Sequence, residues 1–124
     1  MAKTKTNILL IEDEKALLYT LGLKLEKEGY NVSKADNGKA GLEKLKQEKF
    51  DIVLMDLILP EMSGFEILEN KTNTKNKDTK LLVLSNLGQN EDVDKVMKLG
   101  AVGFLIKSNN TLQNIIDKIK ELLK

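Results

Sequence analysis

Four short apolar runs govern what this chain can fold into: "ILLI" (8–11), "IVLM" (52–55), "LLVL" (81–84) and "VGFLI" (102–106). Each is continuous rather than alternating, the pattern of a strand buried on both faces inside a helix-covered parallel sheet. A fifth segment, "YNVSKA" (30–35), is more polar and suits an edge strand. Helical patterns separate the runs. Leu17, Leu18, Leu21 and Leu25 form one stripe, ended by Gly29, and Ala40, Leu42 and Leu45 mark a second helix near 39–48. Phe65, Ile67 and Leu68 mark a third, starting near Gly64, and Val93, Val96 and Met97 a fourth near 91–99. Leu112, Ile115, Ile116, Ile119, Leu122 and Leu123 make the last and cleanest stripe. Strand then helix, five times over, predicts an α/β domain with a parallel sheet and right-handed crossovers. The length of 124 residues fits one domain over 1–124, with 1–6 expected to be a flexible N-terminal segment. The polar stretch "NKTNTKNKDTK" (70–80) reads as a solvated loop.

Composition narrows the chemistry. All 20 basic residues are Lys, and the chain has no Arg, His, Cys or Trp. A disulfide framework, a thiol nucleophile, a Cys-ligated zinc site and a Ser-His-Asp triad are therefore excluded. The chain cannot carry a phosphohistidine, so any phosphoryl chemistry draws on a second molecule. A net charge of +1 gives no footprint for nucleic acid. The opening "MAKTKTNILL" is too short in apolar residues for a signal peptide, and no segment approaches a membrane span. A cytoplasmic protein is expected, with neither membrane nor direct nucleic-acid contact.

Ligands of open parallel sheets bind beyond the carboxyl ends of the strands. The residues leaving the strands there are Glu12 and Asp13, Asp56, Ser85 and Lys107. Taken singly, each has an ordinary explanation. Asp13 would cap the first helix, Asp56 would start an Asx-turn before Pro60, Ser85 would be a loop hydroxyl, and Lys107 a solvated charge. As a set they mean more. Three converging carboxylates repel one another unless a cation compensates, and a hard divalent ion such as Mg²⁺ suits oxygen ligands and phosphate. With a mobile ammonium and a hydroxyl beside it, the set describes a site that places a phosphoryl group on a carboxylate.

At these residues the chain resembles the receiver domain of two-component response regulators, the CheY-like family. The likeness rests on "IEDE" (11–14), "MDLILPEMSGFEIL" (55–68), "LSNLG" (84–88) and "GAVGFLIKS" (100–108), in the family's order and spacing. It implies a flavodoxin-like, doubly wound, five-stranded parallel sheet of order 2-1-3-4-5 with five helices. It implies Asp56 as phosphoacceptor, with Mg²⁺ held by Glu12, Asp13, Asp56 and the backbone carbonyl of Ile58. Ser85 and Lys107 would contact the phosphoryl group, Ser85 and Phe104 would form the switch, and Gly64 would let the loop after Asp56 turn. The implied partners are a sensor histidine kinase or histidine phosphotransfer protein and a downstream effector of unknown kind. The implied output is a change on the face formed by the fourth helix, fifth strand and fifth helix. Catalysis would be limited to phosphorylation and dephosphorylation of Asp56 itself, so the protein is not expected to be an enzyme.

Several positions depart from the family pattern. Ser108 follows Lys107 where many receivers carry a cis proline. Asn86 follows Ser85 where a small residue is usual, and its amide would either narrow access to the phosphoryl group or hydrogen-bond to it. Ile58 and Leu87, two residues beyond Asp56 and Ser85, are apolar and cannot orient an attacking water, which predicts slow hydrolysis of an aspartyl phosphate. A second apolar line on the first helix, Ala16, Tyr19 and Leu23, is expected to pack on the fifth helix, the alternative being contact with a kinase or second subunit. Two other functions compete: a phosphorylation-independent adaptor, and a small Mg²⁺-dependent phosphatase or phosphotransferase, which the chain has no insertion long enough to cap. A flavin-binding relative is disfavoured, because the "EDEKA" loop is acidic rather than phosphate-cradling.

Overall fold

The computed structural model describes residues 5–124. Its elements run β1 (Asn7–Ile11), α1 (Lys15–Lys27), β2 (Asn31–Ala35), α2 (Gly38–Gln47), β3 (Ile52–Met55), α3 (Gly64–Lys71), β4 (Lys80–Ser85), α4 (Asn90–Lys98), β5 (Gly103–Ile106), a 3₁₀ turn (Lys107–Asn109) and α5 (Leu112–Leu123). The strands form one parallel sheet in the order β2-β1-β3-β4-β5. The polar segment β2 is an edge, as expected. Of the expected flexible segment 1–6, residues 1–4 lie outside the described residues, and the Thr6 carbonyl accepts from the Asn31 amide at 2.9 Å.

Strand side chains alternate between two cores. Leu9, Ile11, Val53, Met55, Leu81 and Val83 face Leu45 of α2, Ile67 and Leu68 of α3 and Val96 of α4. Ile8, Leu10, Ile52, Leu54, Leu82 and Leu84 face Leu18, Leu21 and Leu25 of α1 and Ile115, Ile116 and Ile119 of α5. Continuous apolar runs are needed because both faces are covered. Each fully buried Leu or Ile contributes about 1.5–3 kcal/mol by leaving water. Gly29 follows α1 with φ 98°, a left-handed conformation that stops the helix. Among the described residues, no helix is long and apolar enough to cross a membrane.

Two expectations are corrected. The line Ala16, Tyr19 and Leu23 does not pack on α5: Tyr19 is 63% exposed and Leu23 39% exposed. The Leu18–Leu21–Leu25 stripe occupies that interface, and residues one position round the helix turn outward. The stretch 70–80 is not a simple solvated loop either. Asn76 is completely buried. It accepts from the Phe50 amide at 2.8 Å and the Thr79 hydroxyl at 3.0 Å, and donates to the Leu45 and Glu48 carbonyls, each at 2.6 Å. One amide side chain thus ties the end of α2 to the starts of β3 and β4. Beside it, the buried Lys71 ammonium donates to the Lys77 carbonyl at 3.1 Å.

Candidate functional site

Strand register brings the predicted residues to one edge. Ile11 pairs with Met55, Met55 with Val83, and Ser85 with Ile106. The ladder runs one step further, since the Asp56 amide donates to the Ile11 carbonyl and the Glu12 amide to the Ala35 carbonyl, both at 3.0 Å. Glu12, Asp13 and Asp56 therefore leave neighbouring strands at one level, and Lys107 follows the end of β5. Carboxylate oxygens of the three acids lie within 4.8 Å of one another.

Lys107 closes the cluster. Its Nζ lies 2.6 Å from Asp56 Oδ2 and 2.8 Å from both Glu12 Oε1 and Glu14 Oε1. The other Asp56 oxygen, Oδ1, accepts from the Ile58 amide at 3.2 Å, so the carboxylate is held from both sides. This is the Asx-type bond expected of Asp56, made alongside the ion pair. Glu12 Oε2 accepts from the Glu14 amide at 2.9 Å. Glu14 was not among the predicted site residues. Its signal in the sequence is the third acid of "IEDE", which sits at the start of α1 and reaches Lys107 from the solvent side.

The electrostatics follow from burial. Glu12 and Asp56 are buried, whereas Asp13 is exposed. Burial pushes the Glu12 carboxyl above the usual range, and the bonds from Lys107 and the Glu14 amide pull it back only in part. Burial would lower Lys107, but its bonds to Asp56, Glu12 and Glu14 together outweigh this and hold it above the ordinary lysine value. Lys107 is thus a firm cation at neutral pH. One ammonium faces four acids, Glu12, Asp13, Glu14 and Asp56, so carboxylate charge remains in excess. Nor is Asp13 engaged in capping α1, whose N-cap is Glu14 without a side-chain bond. Three carboxylates with oxygen donors and an uncompensated charge fit a hard divalent cation.

The remaining predicted residues surround this cluster. Ser85 is fully buried, and its Oγ accepts from the Leu87 amide at 3.2 Å, which leaves the hydroxyl proton free to donate. Phe104, in register with Val83, is half-buried against the core beneath α4. A Cβ added to Gly88 would lie 4.0 Å from its ring, so Phe104 adjoins the loop that follows Ser85. Gly64 is required by close approach: a Cβ there would sit 2.6 Å from the Asp56 carbonyl oxygen. Ile58 is 60% exposed beside Asp56, and Leu87 is half-buried. Asn86 makes a contact that neither of its two expected roles foresaw. Its Oδ1 accepts from the Ser108 amide at 3.0 Å.

Comparison with known proteins identifies the family and agrees with the fold. Residues 8–120 match the response regulator receiver domain family. The cell cycle response regulator CtrA of Brucella ovis is 38% identical over 100 residues, which cover 81% of this chain and 43% of that protein. The chain thus aligns with less than half the length of this relative. A CheY-like receiver domain protein from Methanospirillum hungatei superposes with a TM-score of 0.90 at 30% identity, covering 97% of this chain and 94% of the other. A response regulator from Burkholderia pseudomallei, whose structure has a phosphorylated aspartic acid and a calcium ion, gives 0.83 at 28% identity, covering 97% and 67%. The chain belongs to the response regulator receiver domain family, the signalling domains of two-component systems.

Proposed function

We propose that the chain is a phosphorylation-dependent switch whose phosphoacceptor is Asp56. The observation that carries this reading is the Asp56 carboxylate, fixed between the Ile58 amide and the Lys107 ammonium inside a cluster of acids. The likeness to a response regulator solved with a phosphorylated aspartic acid supports it. A histidine kinase or histidine phosphotransfer protein supplies the phosphoryl group, since this chain has no His. An Asp56 oxygen attacks phosphorus, a P–O bond forms, and the P–N bond to the donor imidazole breaks with its electron pair leaving on nitrogen. Such a transfer needs positioning and charge neutralisation more than covalent help.

Glu12, Asp13, Asp56 and the Ile58 carbonyl would hold Mg²⁺, which when bound offsets charge on the transferring oxygens. Lys107 exchanges its bond to Asp56 Oδ2 for one to the phosphoryl oxygens. Ser85 donates its hydroxyl proton to the same group and draws the loop after β4 inward, and Phe104 follows the space that opens. The readout is the face of α4, β5 and α5, which meets a downstream effector. Catalysis is confined to phosphorylation and dephosphorylation of Asp56, and the output is binding.

Backbone NMR with Mg²⁺ and beryllofluoride, a phosphoryl mimic, tests the switch. Shifts at Ser85, Phe104 and α4 amides are expected in the native protein and not in Asp56→Asn. Shifts confined to the Mg²⁺ ligands would refute it.

A further inference from the structure

The backbone of Lys107 is tied on both sides to the end of β4. On the N-terminal side, Ile106 is the last ladder partner of Ser85. On the C-terminal side, the Ser108 amide donates to Oδ1 of Asn86, the residue after Ser85, at 3.0 Å. The Ser108 amide belongs to the first turn of the 3₁₀ segment, where donors have no partner within the helix. Ile106, which precedes that turn, provides no side-chain cap. Asn86 therefore caps the turn from a different loop. A second amide, Asn110 Nδ2, braces the same turn by donating to the Ile106 carbonyl at 2.8 Å.

We infer that Asn86 is a positioning residue for phosphoryl transfer, joining the Ser85 hydroxyl and the Lys107 ammonium into one unit through the Ser108 amide. The inference rests on the phosphoacceptor reading of Asp56. Lys107 carries its charge on a long flexible stem, so its aim depends on a fixed Cα and peptide plane. Ladder pairing ends at Ile106, and without Asn86 the peptide after Lys107 would lose its link to β4. The latch also transmits motion. When the loop after Ser85 moves, Asn86 carries the Lys107–Ser108 peptide with it, so hydroxyl and ammonium reach the phosphoryl oxygens together.

Phosphorylation by acetyl phosphate, followed by intact mass at saturating Mg²⁺, tests this in a double-mutant cycle. Asn86→Ala is an exposed change, so folding is retained. It should slow the limiting rate about fivefold, the size of one hydrogen bond. The Mg²⁺ half-saturation should stay unchanged, and the Ser108 amide should exchange faster. Ser108→Pro removes the donor, so Asn86→Ala should have no further effect in that background. If Ser108→Pro disturbs the fold, the Asn86→Ala rate and the Ser108 exchange still decide. An unchanged rate in Asn86→Ala, or the same loss in both backgrounds, would overturn the inference alone. No adduct on the native protein would overturn it together with the phosphoacceptor reading.

Discussion

Replacing Lys107 with Met keeps the length and apolar stem of the side chain and removes only the ammonium. Glu12 and Asp56, with side chains 6% and 7% exposed, then face each other without a cation. Removing one partner of a buried pair costs about 3–5 kcal/mol. The pair with Glu14, whose side chain is 60% exposed, adds about 0–1 kcal/mol. The cluster opens to solvent at Asp13, which admits water to the freed charges and places the loss near the lower end of the range. We expect Lys107→Met to lose about 2–3 kcal/mol at pH 7, a large share of a typical domain's ~5–15 kcal/mol. Asp56→Asn should do the reverse, holding or raising stability, because it removes one of the crowded carboxylates. Mg²⁺ should recover more stability in Lys107→Met than in the native protein, since cation binding is linked to folding by mass action and the variant has lost its internal cation. Urea unfolding followed by circular dichroism, with and without Mg²⁺, measures all three. A loss below about 0.5 kcal/mol in Lys107→Met, or equal Mg²⁺ effects in both proteins, would refute the reasoning.

Other outcomes follow from particular contacts. Exchanging Ile58 and Leu87 for polar residues able to orient water should hasten decay of the Asp56 adduct about tenfold, read by the loss of phosphorylated mass with time. Asn76→Ala should cost about 3 kcal/mol, because it strands the Phe50 amide and the Leu45 and Glu48 carbonyls, and thermal unfolding checks this. Burial lowers the Lys71 pKa from the ordinary 10.5. The unfolded chain then binds more protons than the folded one as pH rises toward 10.5, so stability should rise through that window. In urea titrations from pH 8 to 10, Lys71→Met should remove that rise relative to the native protein.

Fold and site were legible in the sequence to different depths. The strands could be read because burial on both faces demands unbroken apolar runs, and their ends then named the site. Asp56, Glu12, Asp13, Ser85 and Lys107 all reach one edge because register aligns strand ends that are far apart in sequence. Side-chain geometry past the strands was not legible. The pairing of Asn86 with Ser108 depends on where two loops meet, and Glu14 on which way a charged residue turns at a helix start. The burial of Asn76 was hidden in a polar, Lys-rich stretch whose composition matches a solvated loop. Tyr19 and Leu23 show the opposite limit: apolar residues at helical spacing do not say which of two adjoining stripes meets the sheet.

The most direct test of the account is intact-mass spectrometry after incubation with acetyl phosphate, with and without Mg²⁺, on the native protein and Asp56→Asn. One added phosphoryl group is expected on the native chain, dependent on Mg²⁺ and lost in the variant. An adduct that persists in Asp56→Asn, or none on the native chain under conditions that label other receivers, would contradict it.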